Sequence, residues 1–133
     1  MSDVLLDAVI RHLQDDPTVV SLAGASLYQA HVSRIPQPAY PCVTFSRDTP
    51  ARKLPRMPVN VGDLVVGHYS VVGFEEAKDL FAAVRNALDN ANGVLSGPFA
   101  WVLQLRLGPF DSYDTVERPV YGQVAVYGVH QFG

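Results

Sequence analysis

The chain has 133 residues, of which 48% are hydrophobic and only 17% charged, and its net charge is −3 with a pI near 5.7. This length predicts a single domain over residues 1–133, with a core large enough to fold without a metal or a disulfide. The negative charge argues against a basic nucleic-acid binder, the lone Cys42 excludes an intrachain disulfide framework, and no apolar stretch is long enough to span a bilayer. Because few residues are charged, we also expect part of the surface to be apolar and to contact a partner.

The chain opens with an amphipathic helix followed by two short strands. Apolar residues recur at spacings of one, three and four across residues 3–14, which gathers them on one face of a helix that Pro17 ends. Residues 26–31 are predicted to form a short strand. After a proline-rich extended connection, residues 42–47 alternate in polarity as a strand does.

A proline-rich segment at about 47–62 holds the densest positive charge in the chain. Four of the ten basic residues lie in it, namely Arg47, Arg52, Lys53 and Arg56. Its residues 48–62 are predicted to form a loop, and a loop of this length is usually functional or disordered. The prolines lower the entropy cost of ordering an arm against an acidic partner surface or a passing phosphate backbone, while a solvated loop is the alternative interpretation.

A buried strand and a second helix follow this segment. Residues 63–72 are apolar on both faces, which predicts a strand. Residues 74–90 carry an apolar stripe at helical spacing, and two glutamates at the start suit the positive end of the helix dipole. The Asn-Gly pair at 92–93 is predicted to end this helix.

Two further strands are predicted in the last third of the chain. Residues 98–107 alternate strictly between large apolar and smaller or polar side chains. A polar connection at 108–118 leads into the last strand, residues 119–130, so the two strands form an antiparallel hairpin. In the last strand, Val120, Val124 and Val126 alternate with a second set that includes Tyr121, Tyr127 and Val129.

These elements together predict an α+β fold, with a mostly antiparallel sheet and two amphipathic helices packed on one face. The second face of such a sheet is polar in a monomer, but here the face with Tyr121, Tyr127 and Val129 stays apolar. At about 25 cal/mol per Å², an exposed patch of roughly a few hundred Å² supplies several kcal/mol for association. We therefore expect these three residues, together with strand edges, to form contacts between subunits.

Residue types that carry catalysis or bind metals are present without the spacing that either role needs. The four histidines share no metal-ligand pattern, and Cys42 lies among strand residues where a buried, inert thiol is expected. Asp111, Asp114 and Glu117 lack the glycine and the closing glutamate of a calcium loop. There is no nucleophile elbow, phosphate loop or dinucleotide fingerprint. The sequence therefore predicts no catalytic residue, no metal and no cofactor.

The order of motifs along the chain resembles that of a known protein family. The motifs are the opening helix, Asp15–Val20, Leu27–Tyr28, Ala39–Phe45, Tyr69–Val72, Glu75–Leu80, Val84–Asp89 and the tyrosine-bearing strand Val120–Tyr127. In this order they resemble the small tail-completion, or tail-terminator, proteins of siphophages and related prophages. The similarity covers nearly the whole chain.

This resemblance implies a structural virion protein at the head–tail junction, assembled in the host cytoplasm. In that family, usually six subunits form a ring that caps the growing tail tube, stops polymerisation of the tube protein and offers a surface to the head connector. The implied partners are further copies of the chain, the major tail tube protein and head–tail connector proteins. DNA passes through the lumen without sequence-specific binding, and no catalytic residues carry over.

Two other classes of function stay open on the residues alone. The order of elements also allows a small ferredoxin-like ligand-binding or regulatory dimer, and the third hypothesis is a small enzyme that uses Asp111, Asp114 or His68. Oligomeric state separates the structural ring from the regulatory dimer, since a ring of about six subunits and a ligand-bound dimer differ in mass.

Overall fold

The computed structural model describes residues 4–29, 38–53, 59–89, 92–94, 100–115 and 118–132. The helices within these ranges are α1 (Val4–Gln14), α2 (Pro17–Ala23) and α3 (Phe74–Leu88). The strands are β1 (Leu27–Tyr28), β2 (Cys42–Lys53), β3 (Val59–Ser70), β4 (Asn92–Val94), β5 (Ala100–Asp114) and β6 (Val120–Phe132). No helix in the described ranges is long and apolar enough to cross a membrane.

The helices begin and end where local chemistry requires it. The break predicted at Pro17 is also the start of α2, because proline suits the first helical position and the Asp16 carboxylate accepts hydrogen bonds from the backbone amides of Thr18 and Val19. This short second helix was not predicted. The two predicted helices are confirmed as α1 and α3, with Glu75 and Glu76 in the first turn of α3.

The six strands form one sheet in the order β1-β2-β3-β6-β5-β4. All pairings are antiparallel except that of β1 with β2, so the predicted α+β class with a mostly antiparallel sheet is confirmed. The long central strands run in register for most of their length, and Leu64 of β3 lies between Arg47 of β2 and Tyr127 of β6.

The predicted loop at 48–62 was wrong wherever the structure describes it. Residues 48–53 continue β2 and residues 59–62 begin β3, so the two strands form one long hairpin. The pairing shifts register between Arg47 and Thr49 and again before Arg52, and a strand interrupted by bulges can accommodate Pro50. Residues 54–58, with Arg56, lie outside the described residues.

The polar connection predicted at 108–118 is also shorter than expected. Strand β5 continues through Asp114, with register shifts on either side of Leu107 that take up the Gly108–Pro109 pair. The strand predicted at 26–31 is reduced to β1, with residues from 30 to 37 outside the described ranges, and β4 was not predicted.

The hydrophobic core lies between the three helices and one face of the sheet. Its strand residues are Leu27 of β1, Val43 and Phe45 of β2, Leu64 and Val66 of β3, Leu103 of β5, and Ala125, Tyr127 and Val129 of β6. Cross-strand pairing places these side chains on the same face, since paired residues point to the same side of a sheet. We call this the helix face, and the opposite side the open face.

Candidate assembly surfaces

The three residues of the last strand that were predicted to contact other subunits, Tyr121, Tyr127 and Val129, lie in different environments. Tyr127 and Val129 are both fully buried in the core, so the prediction that they lie on the uncovered face of the sheet was wrong. The alternation in β6 was identified correctly, but the two faces were exchanged. Val124 and Val126 are the residues on the open face, where both are partly buried.

The open face nevertheless carries apolar surface, supplied by other residues. Leu107 is 53% exposed and Phe110 is 54% exposed. In the strand register Leu107 lies opposite Val126, and Phe110 lies opposite Val124, which places all four on the side of the sheet away from the helices. Val65 of β3, paired with Val126, extends the same apolar surface.

A glycine in β5 makes this local shape possible. Gly108 has φ +96°, in the region that L side chains rarely adopt, and a Cβ atom built there would lie 2.7 Å from the Val124 carbonyl oxygen. The two register shifts that flank Leu107 are located at the same place. Gly108 is therefore required for the bulge that presents Leu107 and Phe110.

Substitution of Gly108 by alanine is expected to lower the free energy of unfolding by roughly 1–3 kcal/mol, because the new side chain meets backbone atoms that cannot move aside. Chemical denaturation measures the effect. Gly128→Ala is the matched control, since its closest neighbour is the flexible side chain of Arg106, and a cost below about 1 kcal/mol is expected. Equal costs for both variants would contradict this explanation of the bulge.

Polar and aromatic groups border the apolar part of the open face. The guanidinium group of Arg106 pairs with the carboxylate of Asp63, and its side chain runs over Gly128. Tyr69, only 6% exposed, lies across Gly67 and Gly122, where an added Cβ would come within 3 Å of its ring. Glycines are needed at both positions because the ring occupies the space of a side chain.

A second surface lies at the end of the sheet where α3 begins. Tyr113 of β5 and Tyr121 of β6 have ring centroids 5.1 Å apart, and Phe74 of α3 lies 5.0 Å from Tyr121 and 6.3 Å from Tyr113. Tyr113 is 55% exposed, and Val72, just before α3, is 75% exposed. We call Phe74, Tyr113 and Tyr121 the aromatic ledge. Of the three predicted contact residues of β6, Tyr121 alone belongs to a partly exposed surface.

Arg52 and Lys53 lie toward the opposite end of the sheet, and Arg47 lies on the same strand nearer its middle. Arg47, Arg52 and Lys53 lie on β2, where their backbones pair with Leu64, Val61 and Asn60 of β3. We call residues 47–53 of β2, with the paired residues 60–64 of β3, the basic arm. The structure therefore places this charge on a paired hairpin, whereas a loop was predicted.

The side chains that could have acted in catalysis are engaged in the fold. His68 is fully buried, with Nδ1 2.7 Å from the Gln123 carbonyl oxygen and its ring edge-on to Phe81. Burial raises the pKa of the Cys42 thiol to about 12, which keeps it protonated and unreactive. The Asp111 carboxylate accepts a hydrogen bond from the Gln123 side chain. Among the described residues, no group of three or more His, Cys, Asp or Glu side chains could hold a metal ion.

Sequence reasoning missed Leu107, Phe110 and Tyr113 as surface residues. Leu107 is the last residue of the strand predicted at 98–107, and Phe110 and Tyr113 lie in the stretch 108–118 that was assigned to a polar connection. The alternation of that strand is broken at Gly108 and Pro109. A glycine-proline pair between apolar residues is compatible with a bulge in an edge strand. This pair was therefore the feature of the sequence that could have indicated a strand continuing beyond residue 107.

Comparisons with known proteins agree on one class of protein. The family model for tail completion protein gp17 matches residues 7–124. Among solved structures, a chain of the virion of a native gene transfer agent (GTA) particle matches with 25% sequence identity and a TM-score of 0.76, covering 97% of this chain and 95% of that one. No curated protein matches the chain.

Proposed function

We propose, because this chain belongs to the tail completion protein gp17 family, that its subunits form a ring that caps the tail tube at the head–tail junction. The chain is a structural tail protein of a phage-like particle. In the proposed role the ring, of six subunits, ends polymerisation of the major tail tube protein and presents a surface to the head connector. DNA passes through its lumen.

The apolar open face is the observation that carries this proposal. Leu107 and Phe110 are more than half exposed in a strand whose other face is packed in the core. An apolar sheet face of this kind favours association, because a second layer that covers it removes apolar surface from water. The open face, the aromatic ledge and the basic arm differ in chemistry, and a ring needs contacts between unlike surfaces that close by rotation.

The charge of the chain is compatible with a conduit for DNA. The net charge is −3, and the basic residues of the described ranges include Arg106 and Arg85, which pair with Asp63 and Asp89. A lumen that attracted phosphates strongly would slow the passage of DNA, because each neutralised phosphate adds to the affinity. We expect no sequence-specific DNA binding.

A purely structural role also agrees with the environments of the reactive side chains. His68 and Cys42 are both fully buried, so neither is placed to meet a substrate. The alternative of a ferredoxin-like ligand-binding dimer has no specific observation in its favour. The mass of the assembly distinguishes it from the ring.

Two measurements test the proposal. Mass photometry of the purified chain at micromolar concentration is expected to show a species of about six subunits, and electron microscopy a closed ring. Added to the self-assembling tube protein of the same particle, the chain is expected to shorten the tubes and to bind at one end. A monomer or a dimer that leaves tube length unchanged would remove the proposal.

The open face gives a prediction at the level of a single residue. Phe110→Lys is expected to weaken assembly by at least about tenfold, because a charge replaces an exposed aromatic ring that another layer must cover. The subunit is expected to stay folded, since Phe110 lies outside the core. Mass photometry over a dilution series measures the effect.

Asn86→Lys is the matched control for this variant, because it adds a lysine at an exposed position of α3, on the opposite layer. Assembly of the control is expected to equal that of the unmodified chain. If Phe110→Lys assembles as well as Asn86→Lys does, the open face is not a subunit contact.

A further inference from the structure

The aromatic ledge combines exposed apolar surface with negative charge. Tyr113 and Val72 are 55% and 75% exposed. Glu75 follows Phe74 directly in the first turn of α3, and Asp111 lies two residues before Tyr113 on β5. Aromatic faces next to carboxylates favour contact with arginine and lysine, whose cations attract both groups.

Other charged groups around the ledge leave it net acidic. Glu76, which accepts a hydrogen bond from Ser70, and Asp114 add two carboxylates at this end of the sheet. The described cations nearest in sequence are Lys78, one turn further along α3, and Arg118, whose guanidinium lies over the ring of Tyr40. The four carboxylates, Glu75, Glu76, Asp111 and Asp114, therefore outnumber these two described cations, Lys78 and Arg118.

The complementary surface lies on the same chain, at the far end of the sheet. Arg47, Arg52 and Lys53 lie on the basic arm and outnumber its two carboxylates, Asp48 and Asp63, of which Asp63 pairs with Arg106. Lys53 pairs with Asn60, and β3 runs on to Ser70 beside the ledge. Asn60 and Ser70 are ten residues apart, which is roughly 33 Å at about 3.3 Å per residue, so Arg52 and Lys53 of one subunit are too far away to cover its own ledge.

The short edge strands limit how two copies can approach. Strand β1 pairs with β2 only at Val43 and Thr44, so among the described residues β2 has an open edge from Phe45 onward. Strand β4 pairs with β5 only at 100–102, so the open edge of β5 begins at Leu103. The covered parts lie at opposite ends of the sheet. Two neighbouring copies can therefore bring these open edges together only when they are displaced along the strand direction.

That displacement brings the basic end of one copy beside the acidic end of the next. We propose that the aromatic ledge of each subunit is the docking site for the basic arm of a neighbouring copy. This inference rests on the proposed ring, and it assigns the basic arm to contacts within the ring. A contact between unlike surfaces at opposite ends of the subunit can repeat around a closed ring.

Charge exchange tests this contact directly. Arg52→Glu with Lys53→Glu is expected to raise the subunit concentration at half-assembly by about tenfold or more, because the arm then repels the ledge. Glu75→Lys with Asp111→Lys is expected to have a similar effect from the other side. Combining all four substitutions is expected to restore half-assembly to within about threefold of the unmodified chain, since opposite charges again face each other.

Three comparisons complete the experiment. Arg11→Glu, a charge reversal at an exposed position of α1, is the control and is expected to leave assembly unchanged. Because Asp111 is hydrogen-bonded to Gln123, Glu75→Lys alone is measured as a second variant of the ledge, with folding checked by thermal melting. This single variant is expected to weaken assembly less than the pair does.

Two results would overturn the docking proposal while the proposed ring stands. One is an arm variant that assembles as the unmodified chain does, and the other is a fourfold variant no better than the worse of its two halves. The second result would show that the arm and the ledge do not contact each other. An unmodified chain that stays monomeric would overturn the docking proposal and the ring together.

Discussion

Truncation of Tyr127 to alanine is expected to lower the free energy of unfolding by about 4 kcal/mol, in the range found when large core aromatics are removed. Tyr127 is fully buried between the sheet and the helices, and it is among the largest side chains in the core. Its neighbours across the strands, Leu64 and Leu105, cannot fill the space that the ring leaves. Urea denaturation monitored by circular dichroism measures the loss.

Val126→Ala is the matched control for this truncation, because Val126 precedes Tyr127 in β6 and points to the opposite face. A cost of about 1 kcal/mol or less is expected there, since the side chain is only partly buried and lies outside the core. The two variants together test which face of β6 packs against the helices. A larger loss for Val126→Ala than for Tyr127→Ala would reverse the assignment of faces.

Removal of the Tyr127 hydroxyl alone is expected to change the free energy of unfolding in the opposite direction to removal of the whole side chain. This buried oxygen has no hydrogen-bond partner among the described residues, and burial, with the nearby Asp89 carboxylate, raises the pKa of the phenol. An unsatisfied buried hydroxyl costs free energy, so Tyr127→Phe is expected to leave stability unchanged or to raise it by up to about 1 kcal/mol. The ring therefore contributes the stability of this side chain.

Acid is expected to destabilise the subunit through His68. Burial lowers the pKa of His68 to about 4, while the hydrogen bond to the Gln123 carbonyl acts in the opposite direction. Nδ1 is 2.7 Å from that carbonyl oxygen, so the neutral ring donates its proton there, and Nε2 has no partner among the described residues. Protonation would place a buried charge on an imidazole whose Nε2 has no hydrogen-bond acceptor among the described residues.

The sign of the effect follows from the two states of the imidazole. In the unfolded chain histidine titrates near 6.5, so the unfolded state binds a proton before the folded state does. The contribution of neutral His68 is fully present above about pH 6.5 and is lost progressively as the pH falls toward 4. The total loss is about 3 kcal/mol.

Stability measured from pH 8 to pH 4 checks this prediction with two variants. His68→Leu is expected to remove most of the dependence between pH 6.5 and 4, because no proton can bind at that position. His130→Gln, at a partly buried position of β6, is expected to keep it. The assignment to His68 fails if the two variants show the same pH profile.

Helix positions were the part of the fold that local sequence predicted best. The apolar spacing of residues 3–14 and 74–90 matched α1 and α3 within one or two residues where the structure describes them. A helix on the surface of a sheet needs one apolar stripe, and that stripe is visible in a single stretch of sequence. The short α2 was missed because seven residues carry too little of this pattern.

Strand ends were predicted less well, for a physical reason. Pro50 in β2 and the Gly108–Pro109 pair in β5 were interpreted as loop signals, since proline cannot donate a ladder hydrogen bond. Both lie at register shifts in strands with an open edge among the described residues, where a bulge takes up the extra residues. Whether a proline is next to a paired strand or an open edge depends on the order of strands in the sheet.

The sequence by itself determined the α+β class, the two long helices, the excess of apolar residues in the strands and the basic character of residues 47–56. Only the tertiary structure decided which side of β6 is core, because Val124 and Val126 on one side and Tyr127 and Val129 on the other are all apolar. Alternation shows that a strand has two faces, but the packing of helices selects the one that is buried. That selection leaves Leu107 and Phe110, and not Tyr127 and Val129, on the surface available to a neighbouring subunit.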